Sequence, residues 1–214
     1  MIETTALLSA FVTLFVVIDP IGLAPIFIAL TTGMTPAQRR RIAVRACATA
    51  FIVLMLFAVV GEDLLGAIGI GMPAFKIAGG ILLFMTALDM LFERRTKRRN
   101  DTSEAHVDDP NDDPSVFPLA IPLIAGPGAI TSVILIAGQN PGYVGLGLVA
   151  VVTTAVIALV LALWMASSAI ERALGPTAIT VITRLLGMLL AALSVQFVLD
   201  GLQAFTGFAP ITLG

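Results

Sequence analysis

Apolar residues run along this chain in six long blocks, at about 7–30, 42–60, 74–92, 117–137, 144–169 and 178–202. Each block approaches or exceeds the ~20 residues that a helix needs to cross a hydrocarbon core of ~30 Å. The pattern predicts an all-α membrane protein with six transmembrane helices. The first block has no Lys or Arg before it and is about twice as long as a signal-peptide core, so it reads as a retained helix. Residues 61–73 read as a glycine-rich turn region, and Gly138 to Gly142, containing Asn140-Pro141-Gly142, as a tight turn. Only 93–115 reads as solvated. It carries Arg94, Arg95, Lys97, Arg98 and Arg99, then His106 and a run of acids with Pro110 and Pro114, and it lacks apolar periodicity. The expected organisation is a three-helix unit at 1–92, a cytoplasmic linker at 93–115 and a second three-helix unit at 116–214.

Composition sharpens this picture. The chain is 58% hydrophobic and 12% charged, too thin a polar shell to cover a water-soluble core. Its 12 Lys and Arg, placed as they are, assemble no basic face, which excludes nucleic acid as a partner and leaves membrane lipids as the surroundings. The single cysteine, Cys47, forms no internal disulfide and sits in an apolar run as a packing residue. Cations cluster at Arg39, Arg40, Arg41 and Arg45 after the first block, in the linker after the third, and at Arg172 after the fifth. Those three loops share one side of a six-span arrangement, so the positive-inside rule places both termini outside.

Shifting the sequence by 107 residues, half its length, superposes Pro20 on Pro127, Gly80 on Gly187 and Asp89 on Gln196. Each half holds three spans, an odd number, so the halves form two inverted 3+3 repeats, a recurring plan of secondary transporters. The first helix of each half is interrupted at the matched proline. Proline ends a helix that reaches it and suits the first position of a new one, with Asp19 or Gly126 before it as the cap. Asp19 lies ~18 Å along from Leu7, near mid-membrane. The half-helices starting at Pro20 and Pro127 would aim their unsatisfied N–H groups toward the centre, a place suited to a carboxylate. An acid at that depth is costly, which marks Asp19 as the candidate for a substrate ammonium, a proton or a sodium ion.

The candidate substrate-binding residues are therefore Asp19, Pro20, Gly22, Pro25, Gly126, Pro127, Gly128 and Thr131. The competing structural reading makes the prolines simple kinks, with Asp19 capping its own helix. Asp89 and Gln196 read as buried polar residues near opposite membrane faces. Glu62, Asp63 and Asp200 read as helix-end residues, and Gly79, Gly80 and Gly187 as close-packing positions. No metal ligand cluster, cofactor motif, Ser-His pair or HExxH sequence is present, so neither a metal nor a cofactor is expected.

The run from Asp19 to Phe27, followed by Leu30-Thr31 and Gly33-Met34-Thr35, resembles the MarC family of bacterial inner-membrane proteins. So do Pro122 to Thr131, Gly79-Gly80-Ile81-Leu82-Leu83 and Arg184-Leu185-Leu186-Gly187. The resemblance covers nearly all of the chain outside the linker. It implies a six-helix protein in the broader superfamily of LysE-like amino-acid exporters, whose SnatA-like members are associated with small neutral amino acids. Many relatives place Asn where this chain has Asp19. The resulting expectation is a secondary transporter of a small neutral amino acid working by alternating access. The alternatives are a membrane protein that acts through a bound partner and an intramembrane enzyme pairing Asp19 with Asp89.

Overall fold

The computed structural model describes residues 4–92, 113–139 and 142–206, and no strand occurs among them. The linker positions 93–112, the Asn140-Pro141 turn and the side chain of Arg172 lie outside the described residues. The helices are α1 (Thr4–Ile18), α2 (Pro20–Leu30), α3 (Pro36–Ala67), α4 (Met72–Leu91), α5 (Pro127–Gln139), α6 (Tyr143–Met165) and α7 (Ser167–Thr206), with a wide-turned segment, Ser115–Ile124, before α5. Five helical stretches among the described residues are long and apolar enough to cross a membrane, and the pair Ser115–Ile124 and Pro127–Gln139, bent by 58°, passes the same measure only when taken together, as a broken span or a re-entrant loop.

The local causes are legible. Helix α3 opens with Pro36 at its first position and a reciprocal cap, in which the Thr35 hydroxyl accepts from Gln38 N–H and the Gln38 side chain accepts from Thr35 N–H. It therefore begins six residues before the apolar block, and Arg39, Arg40, Arg41 and Arg45 are helical. It also runs through Glu62 and Asp63 to Ala67, so the turn expected at 61–73 shrinks to Ile68–Gly71, where Gly69 takes a positive φ of 78°. Gly61 is not a turn residue: a Cβ there would lie 2.5 Å from Ile134 Cγ1, so it lets α5 approach α3 closely. With 32 residues α3 is ~48 Å long, more than a bilayer core, and its arginine-bearing first turns extend past the apolar zone. Helices α6 and α7 part at Ala166, and α7 is interrupted at Gly175, which has a φ of 65° just before Pro176.

The expected regular helix at 117–137 is corrected. Phe117 and Ile121 are extended, at φ −125° and −126°, because each precedes a proline that disfavours helical geometry for its neighbour. Hydrogen bonds in this segment skip to the fifth residue, Leu119 N–H to Pro114 O and Ala125 N–H to Ala120 O. The chain then turns by 58° into α5.

Direction follows from contacts. Asp113 pairs with Arg45, so the wide-turned segment starts at the arginine-bearing end of α3. Burial alone would push the Asp113 carboxyl up, yet hydrogen bonding from Ser115 and the guanidinium groups of Arg45 and Arg41 hold it below the usual carboxylate range. At its far end α5 meets the start of α4, where a Cβ on Gly138 would lie 2.8 Å from Met72 Cε. Helices α1 and α2 run the other way, toward Thr31 and the arginine-bearing end. The two broken elements are thus antiparallel.

Helices α4 and α7 form the most extensive pair, α3 packs on α6, and α1 on α5. The α4–α7 contacts are reciprocal. A Cβ on Gly80 would lie 2.7 Å from Ser194 O and from Val198 Cγ2, and one on Gly187 would lie 3.3 Å from Ala87 O and 3.5 Å from Leu91 Cγ. Gly80 and Gly187, Ala87 and Ser194, and Leu91 and Val198 are each separated by 107 positions.

Candidate functional site

The two helix breaks differ in character. At the first, Asp19 adopts a left-handed conformation, φ 58° and ψ 64°, and its Oδ1 accepts the Gly22 N–H at 3.1 Å. Pro20 fills the first position of α2 and is buried, while Pro25 sits inside the helix. The backbone path is nearly continuous, since Asp19 N–H reaches Phe15 O and Leu23 N–H reaches Asp19 O. Thr4–Leu30 consequently crosses as one span. Gly22 has to be glycine, because a methyl there would overlap the Asp19 carboxylate. Asp19 is 1% exposed and caps α2. Replacing Asp19 by Ala is expected to lower stability by about 2–3 kcal/mol, from the lost cap and the left-handed backbone together. Asn, which caps as well and tolerates that backbone, should stay within about 1 kcal/mol of the parent. Melting of the two purified variants in one detergent would show it, and equal losses would remove the cap explanation.

At the second break the chain opens a cavity of about 140 Å³. Its wall comes from Val17 of α1, Thr86 and Asp89 of α4, Leu123 and Ile124 of the wide-turned segment, and Gly126, Pro127, Gly128 and Ala129 at the start of α5. Gly126 caps α5 through Ile130 N–H donating to its carbonyl at 3.0 Å, which leaves the first N–H groups of the helix without an intrahelical acceptor. Pro127 has none to offer. The donors at the mouth of α5 therefore belong to Gly128 and Ala129. Gly128 is hemmed in: a Cβ would lie 3.1 Å from Val17 Cγ1, 3.4 Å from Leu83 Cδ2 and 3.8 Å from Thr86 Oγ1. The Thr86 hydroxyl donates to Leu82 O at 3.0 Å and keeps its lone pairs for the cavity side.

The structure thus brings Gly126, Pro127 and Gly128 together around one cavity, while Asp19, two residues beyond Val17, caps α2, Pro20 and Gly22 form its first turn and Pro25 lies inside it. Thr131 lies one turn further along α5 and packs against Gly79, whose Cβ would sit 2.5 Å from Thr131 Cγ2. The neighbouring Ser132 hydroxyl donates back to Gly128 O at 2.8 Å. The acid on the cavity wall is Asp89, placed by the sequence near a membrane face, and Thr86 accompanies it. Positions 86 and 89 are three apart in an apolar helix and so share a face, a signal that could have flagged them. Gln196, the counterpart of Asp89, corrects its expectation: it is exposed and donates to Asp200 Oδ1 at 2.7 Å.

Depth can be counted. Val17 is ~20 Å along from Thr4, and Thr86 is ~21 Å along from Met72, both ends lying opposite the arginines. The cavity is therefore about two-thirds of the way across a ~30 Å core. Among the described residues no cluster of His, Cys, Asp and Glu is arranged to hold a metal ion.

Comparison with known proteins agrees with this architecture. The model of the MarC family, described as integral membrane proteins, matches residues 4–206. A UPF0056 membrane protein of Archaeoglobus fulgidus is 40% identical over 195 residues, covering 91% of both chains. One from Aquifex aeolicus is 38% identical over 197 residues, again 91% of each, and one from Bacillus subtilis is 37% identical over 194 residues, 90% of this chain and 92% of its own. No solved structure matches the chain.

Proposed function

Starting from the premise that the chain belongs to the MarC family of integral membrane proteins, we propose that it carries a small zwitterion, such as a neutral amino acid, across the membrane. It moves the solute without transforming it. The observation that supports this reading best is the cavity at the second break, which has a carboxylate on one wall and a helix N-terminus on another. The solute carboxylate would meet the Gly128 and Ala129 N–H groups and the positive end of α5, and the ammonium would meet Asp89. Size agrees. A cavity of about 150 Å³ takes a ligand of about six non-hydrogen atoms, benzene being the known case, so about 140 Å³ suits glycine or alanine and not a long side chain.

In this reading the reciprocal α4–α7 contact and the antiparallel broken helices are those of two inverted repeats, and rocking of one repeat against the other alternates access. A proton or sodium ion supplies the coupling. The arginine-bearing end faces the cytoplasm, so both termini lie outside the inner membrane. Asp19 serves by holding the start of α2 beside Val17.

The test is counterflow of labelled glycine, alanine and serine into proteoliposomes preloaded with the same unlabelled solute. Exchange of at least one of them, absent from empty liposomes, is the expected result. No exchange of any small zwitterion with well-folded protein would end the proposal.

A further inference from the structure

A second cavity, of about 250 Å³, lies at the arginine-bearing end, shares no lining residue with the first, and is lined by Phe27, Arg39, Arg40, Trp164, Met165 and Ser167 among others. Its floor is a stacked pair, Phe27 on Trp164, with ring centroids 4.6 Å apart and planes within 6°. The Arg39 guanidinium lies over the Phe27 ring at 5.6 Å and donates from Nη2 to Ser167 Oγ at 3.4 Å. These contacts fix the guanidinium plane and occupy one of its five donors. Neither Arg39 nor Arg40 has a carboxylate partner among the described residues, whereas Arg45, on the opposite side of α3, pairs with Asp113. Trp164 is 1% exposed, and its indole Nε1–H is buried with no hydrogen-bond partner among the described residues. Two guanidinium groups at one cavity without a carboxylate partner create a demand for an anion that accepts hydrogen bonds.

The surroundings select the kind of anion. Arg39 and Arg40 stand in the first turn and a half of α3, where the chain enters the membrane. Met165, on the rim, is 46% exposed on the apolar outer surface. A ligand with a phosphate head and a hydrocarbon body satisfies both ends of the cavity at once. We infer that this cavity binds the phosphate headgroup of an anionic phospholipid, with Arg39 and Arg40 as headgroup ligands above the Phe27–Trp164 floor and the acyl chain leaving past Met165. The inference is independent of the transport proposal, because it concerns another cavity and needs no solute.

Trp164 is the only tryptophan in the chain, so its fluorescence reports on the site directly. The full chain would be reconstituted in phosphatidylcholine vesicles containing about one-tenth of either phosphatidylglycerol or phosphatidylcholine with brominated chains, a quencher of nearby indole. Each basic residue at an anionic surface contributes roughly a fivefold enrichment, so quenching by the brominated phosphatidylglycerol should correspond to at least about fivefold higher local occupancy. Arg39→Gln should lower that advantage about fivefold while Arg45→Gln keeps it. Equal quenching by the two lipids in the parent protein would overturn the inference, and this comparison needs no variant to fold. Inorganic phosphate in the buffer separates the sources. If millimolar phosphate abolishes the advantage or shifts the emission without phosphatidylglycerol, the site takes a soluble anion and the lipid assignment fails.

Discussion

Asp89→Asn is expected to weaken binding of a small zwitterion by about 10- to 150-fold while leaving the fold intact. The estimate follows from the chemistry of the cavity. A hydrogen bond to a charged partner contributes about 1.5–3 kcal/mol, and each 1.4 kcal/mol is tenfold in affinity. Asparagine keeps the size of the side chain and removes the charge that the proposed solute ammonium would meet. Gly128→Val should act on the other pole of the ligand, because even its Cβ would lie 3.1 Å from Val17 Cγ1 and the rest of the side chain would fill the space beside the helix N-terminus. Asp19→Asn should bind within a few-fold of the parent, since its carboxylate engages Gly22 N–H and does not line the cavity. Thermal shift with glycine, alanine and serine reads all three. A ligand at about 100 times its dissociation constant adds about 2.7 kcal/mol of stability, and Asp89→Asn should need a far higher concentration for the same shift. If Asp19→Asn loses binding and Asp89→Asn does not, the solute sits at the first break, and the assignment of the cavity is wrong.

That Asp19 was the more visible of the two acids in the sequence has a physical explanation. Asp-Pro and Gly-Pro each combine a helix cap with a proline at the first helical position, so both breaks could be read from adjacent residues alone. Which acid shares space with which break is tertiary information. Depth counted from the ends of the apolar blocks puts Asp19 near the centre and Asp89 near a face, whereas counting from the helix starts puts the two within ~3 Å of each other. The wide-turned segment, however, sets the Gly126-Pro127-Gly128 corner about two-thirds of the way across, level with Thr86 and within reach of Asp89. The extended residues Phe117 and Ile121 were legible in principle, because each precedes a proline, but the apolar run concealed them. Gly61 misled in the opposite sense. It resembles a turn residue locally, and only the approach of Ile134 gives the reason for it. The reading of Gly80 and Gly187 as close-packing positions, by contrast, holds, since each lies where α4 and α7 approach closely.

That contact should also be where the fold is most easily broken. Gly80→Val is expected to cost about 3 kcal/mol or more, at the upper end of overpacking. The nearest obstacles to its Cβ are the Ser194 carbonyl at 2.7 Å and the Val198 N–H nitrogen at 3.0 Å, and backbone of a packed helix cannot swing aside as a flexible side chain can. Gly187→Val should be damaging to a slightly smaller degree, because its closest neighbours are Met90 Cβ at 2.9 Å and Ala87 O at 3.3 Å. Gly147→Ala on α6 is the informative control. Nothing lies within 4 Å of its Cβ, so alanine there should raise stability by up to about 1 kcal/mol through helix propensity alone. Apparent melting temperatures in a single detergent would rank the three. A mild effect at Gly80 with a severe one at Gly187 would mean that the two positions are not equivalent, and the proposal of two inverted repeats would lose its strongest support. Comparable losses at both, with a gain at Gly147, would tie the close approach of α4 and α7 to the same pair of notches that the sequence repeats 107 residues apart.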